Sequence, residues 1–229
     1  EATRKALELD DSLSEAHAAR ANALTAAWKW SGAEAEFRRA IELNPNNASA
    51  HYFYGFTFLM PENRIDQALE ELRIALSLDP LSSIVNMNYG LTLMVARRYP
   101  EALAQFAKVL ERDPSFEPAQ FYLSQVHATM GRYADAVSVM QKGEGIKGTW
   151  SADAQGFVKM MLSFKEPPPT NVAVSYALAG DRNKAFEYLE KAYSEEDAEL
   201  MACIRFPAFD SLHSDPRWAS LMGRLGLSQ

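Results

Sequence analysis

The sequence predicts an all-α fold, a solenoid in which antiparallel helix pairs repeat along the chain, and three observations predict it. First, the strings AIELNP (Ala40–Pro45), ALSLDP (Ala75–Pro80) and VLERDP (Val109–Pro114) recur 35 and 34 residues apart, with ALELDD (Ala6–Asp11) 34 residues before the first. Second, residues of one size hold one register: Ala33, Ala68, Ala102 and Ala136, followed four residues later by Phe37, Leu72, Phe106 and Met140. That spacing is one face of a helix. Third, a proline ends three of the four strings, where it lacks a backbone donor and disfavours helix in the residue before it.

The elements follow in order. Residues 1–13 read as the second half of a helix already under way, which suits a segment cut from a longer protein. Four units come next, at 14–47, 48–82, 83–116 and 117–143, the second with one extra residue near Met60-Pro61-Glu62. Ahead of the Ala and Phe register of each unit, Ala21, Gly55, Gly90 and Ser124 hold a small-residue register and Trp30, Ile65, Tyr99 and Tyr133 a large one. Small residues let two helices approach to about 8–10 Å, and the large ones fill the space that opens beyond them.

After Met140 the pattern fails. Residues 144–169 are expected to hold a glycine hinge and an inserted helix with Phe157, Met160, Met161 and Phe164 on one side, ended by the EPPP segment at Glu166–Pro169. A fifth, partial unit spans 170–194, with Ala185 standing 49 residues after Ala136. Residues 195–229 are expected to cap the stack, with Asp215 capping a last helix, Pro216 at its first position, and Phe206, Phe209, Leu212 and Trp218 covering the final hairpin.

Together these registers resemble the tetratricopeptide repeat family, whose pattern runs W-x2-L-G-x2-Y, then A-x3-F, then A and P over about 34 residues. The aromatic expected early in each first helix is replaced by His17, His51, Asn86 and Gln120. The resemblance implies a right-handed superhelix whose concave face, lined by the first helices, holds another polypeptide. Its groove positions fall on Asn22, Tyr52, Phe56, Met60, Met87, Leu91, Met94, Phe121 and Gln125, with Asn88 adjacent. The middle of that groove is apolar, and the family's basic carboxylate clamp is missing. Tyr52, Phe56 and Phe121 alone would present about 450–750 Å² if open, near or above what a monomer leaves bare. The passages Trp28–Pro45 and AFEYLEKAY with FDSLHSDPRW are similar to tetratricopeptide regions of bacterial winged-helix regulators, class III nucleotide cyclases and Ser/Thr kinases.

Function is bounded by composition. The net charge is −7, with 23 Lys and Arg against 30 Asp and Glu, and no basic cluster offsets it, which speaks against nucleic acid as a partner. The longest apolar run, Tyr52–Met60, is too short to span a bilayer. Cys203 is the only cysteine, so no internal disulfide or multi-cysteine zinc site exists, and a cytoplasmic location is expected. Gly143–Gly148 spells G-x-G-x-x-G but follows a helix instead of a strand, which favours a hinge over a dinucleotide site. No histidine pair has zinc-ligand spacing, and no nucleophile, base and orienting group stand at a recognisable spacing. The expectation is therefore a scaffold with no cofactor, metal or catalytic residues, binding a protein or peptide segment that can come from its own polypeptide. A small-molecule-sensing regulatory domain is the alternative, with Asn22, Asn88 and Gln125 as its polar candidates.

Overall fold

The computed structural model describes residues 5, 9–143 and 148–228. Every regular element among them is a helix. The first four pairs are α1 (Ser14–Ala26) with α2 (Ala33–Leu43), α3 (Ala48–Phe53) with α4 (Ile65–Leu78), α5 (Ser83–Val95) with α6 (Tyr99–Arg112), and α7 (Glu117–Thr129) with α8 (Tyr133–Gly143). The chain continues through α9 (Ala154–Leu162), α10 (Pro169–Leu178), α11 (Arg182–Ser194), α12 (Glu199–Cys203), a 3-10 turn at Pro207–Leu212, and α13 (Pro216–Leu225). Most of the N-terminal half-helix, and residues 144–147 of the glycine hinge, lie outside the described residues. Two compact units form, residues 1–92 with 222–228 and residues 93–221. The all-helical repeat is the fold that the sequence predicts, and Ala33, Ala68, Ala102, Ala136, Phe37, Leu72, Phe106 and Met140 are all fully buried.

The turn inside each pair is built the same way five times. Trp28, Asn63, Arg97, Gly131 and Gly180 all have positive φ, between 55° and 77°. The next residue's N–H then donates to the carbonyl five positions back, as in Lys29 to Leu24 and Arg98 to Leu93 (both 2.8 Å) or Asp181 to Tyr176 (3.0 Å). This closure satisfies carbonyls that the helix end would otherwise orphan. Glycine adopts the left-handed conformation freely, whereas Trp28 and Arg97 hold it against a Cβ penalty of about 1–2 kcal/mol.

The turn between units explains the missing aromatic. His17 and His51 direct Nε2 at the carbonyls of Asp11 (2.9 Å) and Pro45 (3.0 Å). Asn86 Nδ2 and Gln120 Nε2 donate to the carbonyls of Pro80 (3.1 Å) and Pro114 (2.5 Å). Each side chain reaches back six residues, so a nitrogen donor ties the start of one unit to the end of the last. The same connections are tightened by Asp10, Asn44 and Asp113, whose side chains accept from the N–H two residues on, at 2.9–3.0 Å.

The extra residue of the second unit sits upstream of where the sequence suggests. Tyr54–Leu59 forms a π-helical turn directly after α3, and the Met60 N–H donates to the Gly55 carbonyl five residues back (3.1 Å). A π turn absorbs an added residue inside a helix without a loop. At Gly55 an added Cβ would stand 3.0 Å from the Ala68 carbonyl oxygen and 3.1 Å from Leu72 Cγ, so glycine is what lets this turn close on α4.

In the second compact unit, residues 93–221, α9 is part of the core. Phe157, Met160 and Met161 are buried with Ala128, Ala136, Val137 and Met140, and the Phe157 ring lies 6.3 Å from that of Tyr133. The tail packs α12 and the 3-10 turn on α10, burying Phe206, Phe209 and Leu212, while Trp218 of α13 lies 5.7 Å from Phe209. The last residues, 222–228, belong to the first unit instead. There the Trp30 indole N–H donates to the Leu225 carbonyl (2.7 Å).

Candidate binding site

The ten groove candidates divide by burial. Met60, Met87, Asn88, Leu91, Met94 and Gln125 are core residues, while Asn22, Tyr52, Phe56 and Phe121 are half-buried. For Met87, Asn88, Leu91 and Met94 the physical reason lies in α5, whose sequence SIVNMNYGLTLMV is apolar almost all round, so that most of the helix is buried while Ile84 near its start stays exposed. Positions that would line an open groove on an amphipathic helix are therefore filled here.

Within the first compact unit Tyr52 and Phe56, one turn apart at the entry to the π segment, stack with ring centroids 6.2 Å apart and planes 8° from parallel. Asn88 Nδ2 donates to the Tyr52 hydroxyl (2.8 Å). Burial raises the phenol above its ordinary pKa, and the Asn88 bond opposes the rise. The result is a fixed aromatic pair with surface still open. Elsewhere in this unit, Glu34 gathers Tyr54, Arg64 and Arg38 on one oxygen, each at 2.8 Å. Burial pushes the Glu34 carboxyl up, but these donors hold it down at about 2. That cluster ties α2 to the π turn and to the residue ahead of α4, with two guanidinium groups sharing one carboxylate.

Within the second unit Phe121 overlooks a cavity of about 330 Å³, lined by Glu117, Pro118 and Tyr122 of α7, Met161 and Phe164 at the end of α9, Glu166, Pro167, Pro168 and Asn171 leading into α10, and Glu199 of α12. The local sequence explains each wall. Pro118 falls in the first turn of α7, where its missing donor costs nothing, and the proline run at 167–169, which comes after α9 has already ended at Leu162, places Pro169 at the first position of α10. Phe121 and Tyr122 pack edge to face at 5.3 Å. Asp197 accepts from the N–H groups of both Thr170 (2.9 Å) and Glu199 (3.0 Å), so one carboxylate caps two helix starts.

At the inner end the Tyr122 hydroxyl donates to Glu199 Oε2. Burial raises the Glu199 carboxyl above its ordinary pKa, the Tyr122 bond opposes that, and Asp197 adds to it. Cys203, fully buried beside them, has its thiol pushed well up by burial and then by the two carboxylates. Asn171 Oδ1 and Thr170 Oγ1 are buried without a hydrogen-bond partner, as are both amide atoms of Gln125. The acidic run Glu195–Glu199 has the composition of a solvated helix start, yet within it Asp197 and Glu199 turn inward and are half-buried. Among the described residues no group of three His, Cys, Asp or Glu side chains could hold a metal ion, and no helix is long and apolar enough to cross a membrane.

Family models for the tetratricopeptide repeat match residues 14–47, 62–115 and 90–148, together more than half of the chain. The chain carries tetratricopeptide repeats. Among curated proteins none matches. Solved structures similar to these repeats include YrrB, a tetratricopeptide-repeat protein with an unusual peptide-binding site, at 22% identity and a TM-score of 0.54, covering 89% of this chain and 97% of that one. Pseudomonas aeruginosa PilF is similar at 22% identity and a TM-score of 0.57, covering 87% and 84%. PilW, a widely conserved type IV pilus biogenesis factor, is similar at 21% identity and a TM-score of 0.55, covering 93% and 91%. At these identities the likeness is one of fold.

Proposed function

We propose that this chain is a non-catalytic scaffold that binds a peptide or helix of a protein partner, or of its own longer polypeptide, as the regulatory part of a cytoplasmic bacterial signalling protein. The observation that carries the reading is that Phe121, a residue assigned to the groove from sequence, stands half-buried over an open cavity. Tyr52 and Phe56, stacked and partly exposed, give the first unit an aromatic surface of its own. Rigid aromatic anchors of this kind dominate peptide and protein interfaces. The peptide-binding site described for YrrB supports the class of function, and the likeness of the Trp28–Pro45 passage to signalling proteins supports the setting.

Selection of peptides from a displayed random library tests this. Wild-type protein is expected to enrich binders, and Phe121→Ser or the pair Tyr52→Ser with Phe56→Ser is expected to weaken them about tenfold or more. Undiminished binding by all of these variants, with helical content intact, would sink the proposal. The small-molecule alternative draws on the unpartnered buried amides of Asn171 and Gln125. Thermal stabilisation by a metabolite panel, with no peptide enriched, would favour it.

A further inference from the structure

The cavity beside Phe121 has a chemistry that the peptide-binding reading leaves open. Three carboxylates line it, those of Glu117, Glu166 and Glu199, and no Lys or Arg does. Its walls are apolar rings, chiefly Phe121, Phe164, Pro167 and Pro168. Asn171, only 5% exposed, also lines it, and its side-chain oxygen has no hydrogen-bond partner. An acceptor left unmade in a buried site costs about 1–3 kcal/mol; this one is closed to solvent in the free protein, and a turn of the amide about its soft last torsion would bring it to a donor in the cavity. Glu199 meets Tyr122 through Oε2, which leaves Oε1 as a second acceptor.

The missing occupant must bring positive charge, several N–H donors and an apolar or planar body. Its size is limited too, because about 330 Å³ is at the small end of ligand sites and suits one long side chain better than a cofactor. Lysine supplies a compact, strongly hydrated charge. Arginine supplies a weakly hydrated planar fork that can donate to two acceptors at once while its face lies on an aromatic ring. Asn171 and Glu199 provide two acceptors, and Phe121 and Phe164 provide rings.

Resting on the peptide-binding reading, we infer that this cavity receives an arginine side chain of the bound peptide, with its guanidinium between Glu199 and Asn171. The other acidic residues, Glu117 and Glu166, draw the cation to the mouth.

The test is an NMR titration of the full chain with N-acetylarginine amide, N-acetyllysine amide and N-acetylcitrulline amide, the last being the neutral isostere of the first. Arginine is expected to give saturable shifts at Phe121, Phe164 and Asn171, with lysine and citrulline about tenfold weaker or worse. Glu199→Gln keeps a hydrogen-bond acceptor for Tyr122 and is expected to weaken arginine about tenfold. Should that variant lose its fold, the doubly substituted Glu117→Gln, Glu166→Gln protein, changed only at exposed positions, is expected to lose affinity severalfold. Equal binding of citrulline or lysine overturns the inference, and so does arginine binding that none of these substitutions moves. If library peptides bind through Phe121 with no enrichment of arginine, the inference fails while the peptide reading stands. If arginine amide binds but no peptide does, the cavity takes small cations, and the inference fails along with that reading.

Discussion

At the scale of single residues, His51 shows how a repeat position that usually packs can instead carry charge. Its Nδ1 meets Glu71 Oε2 at 2.6 Å and its Nε2 meets the Pro45 carbonyl at 3.0 Å, so both ring nitrogens face acceptors. Only the imidazolium can donate to both. Burial works against that charge, yet the Glu71 and Pro45 bonds hold the His51 pKa above its ordinary value of 6.5. With the folded value above the unfolded one, folding favours the protonated ring. The stabilisation is complete below about pH 6.5 and is lost as pH rises through the folded value. Replacing His51 with Gln, which can keep the Pro45 bond as Gln120 does in its own unit, is expected to cost roughly 1–3 kcal/mol at pH 5.5. The cost should shrink by pH 8.5. Urea unfolding at the two pH values measures it, and a pH-independent loss would refute this account. The ingredients were visible in the sequence, because His17, His51, Asn86 and Gln120 share a register and all bear an N–H donor. What the sequence hid was the acceptor six residues back.

At the scale of elements, the repeat period exposed an added residue in the second unit but not its place. A helix can take up one residue anywhere along its length by widening a turn, and here it does so beside Tyr52 and Phe56. The groove candidates were assigned on the premise that each first helix has a free face. Tyr52, Phe56 and Phe121 keep some surface open, whereas Met87, Leu91 and Met94 of α5 are buried. The cap shared by α10 and α12 was also hidden, since Asp197 and Thr170 are 27 residues apart. Asp197→Ala strips an acceptor from two helix starts and is expected to cost roughly 1–3 kcal/mol. Asp197→Asn, which keeps one side-chain oxygen, should recover part of that. Thermal melts of the two variants compare them, and equal losses would place the effect elsewhere.

At the scale of the whole molecule, repetition was legible because each unit writes the same small and large residues at the same spacing. The regions without repetition were harder to read. The helix Ala154–Leu162 lacks the repeat signature yet closes the α7–α8 core through Phe157, Met160 and Met161. The C-terminal tail reads as a cap for the final pair, and its aromatic residues are buried there, but its last residues belong to the first unit through Trp30. Ending the chain after Leu221 should therefore destabilise the N-terminal pair, with hydrogen exchange rising in α1 and α2. Unchanged protection there would count against the Trp30–Leu225 contact.

That contact also has a kinetic side. It joins residues 195 positions apart, in a chain whose other units can close on neighbours in sequence. At about 5–20 residues per second, a ribosome needs roughly 10–40 s to make the partner of Trp30 after Trp30 itself has emerged. Through that interval the nascent first pair carries an indole that packs on Phe58 but whose N–H still lacks the Leu225 acceptor, and its end is incomplete. Such transiently exposed apolar surface invites mispairing, so the nascent first pair is expected to stay open to it until residues 222–228 arrive.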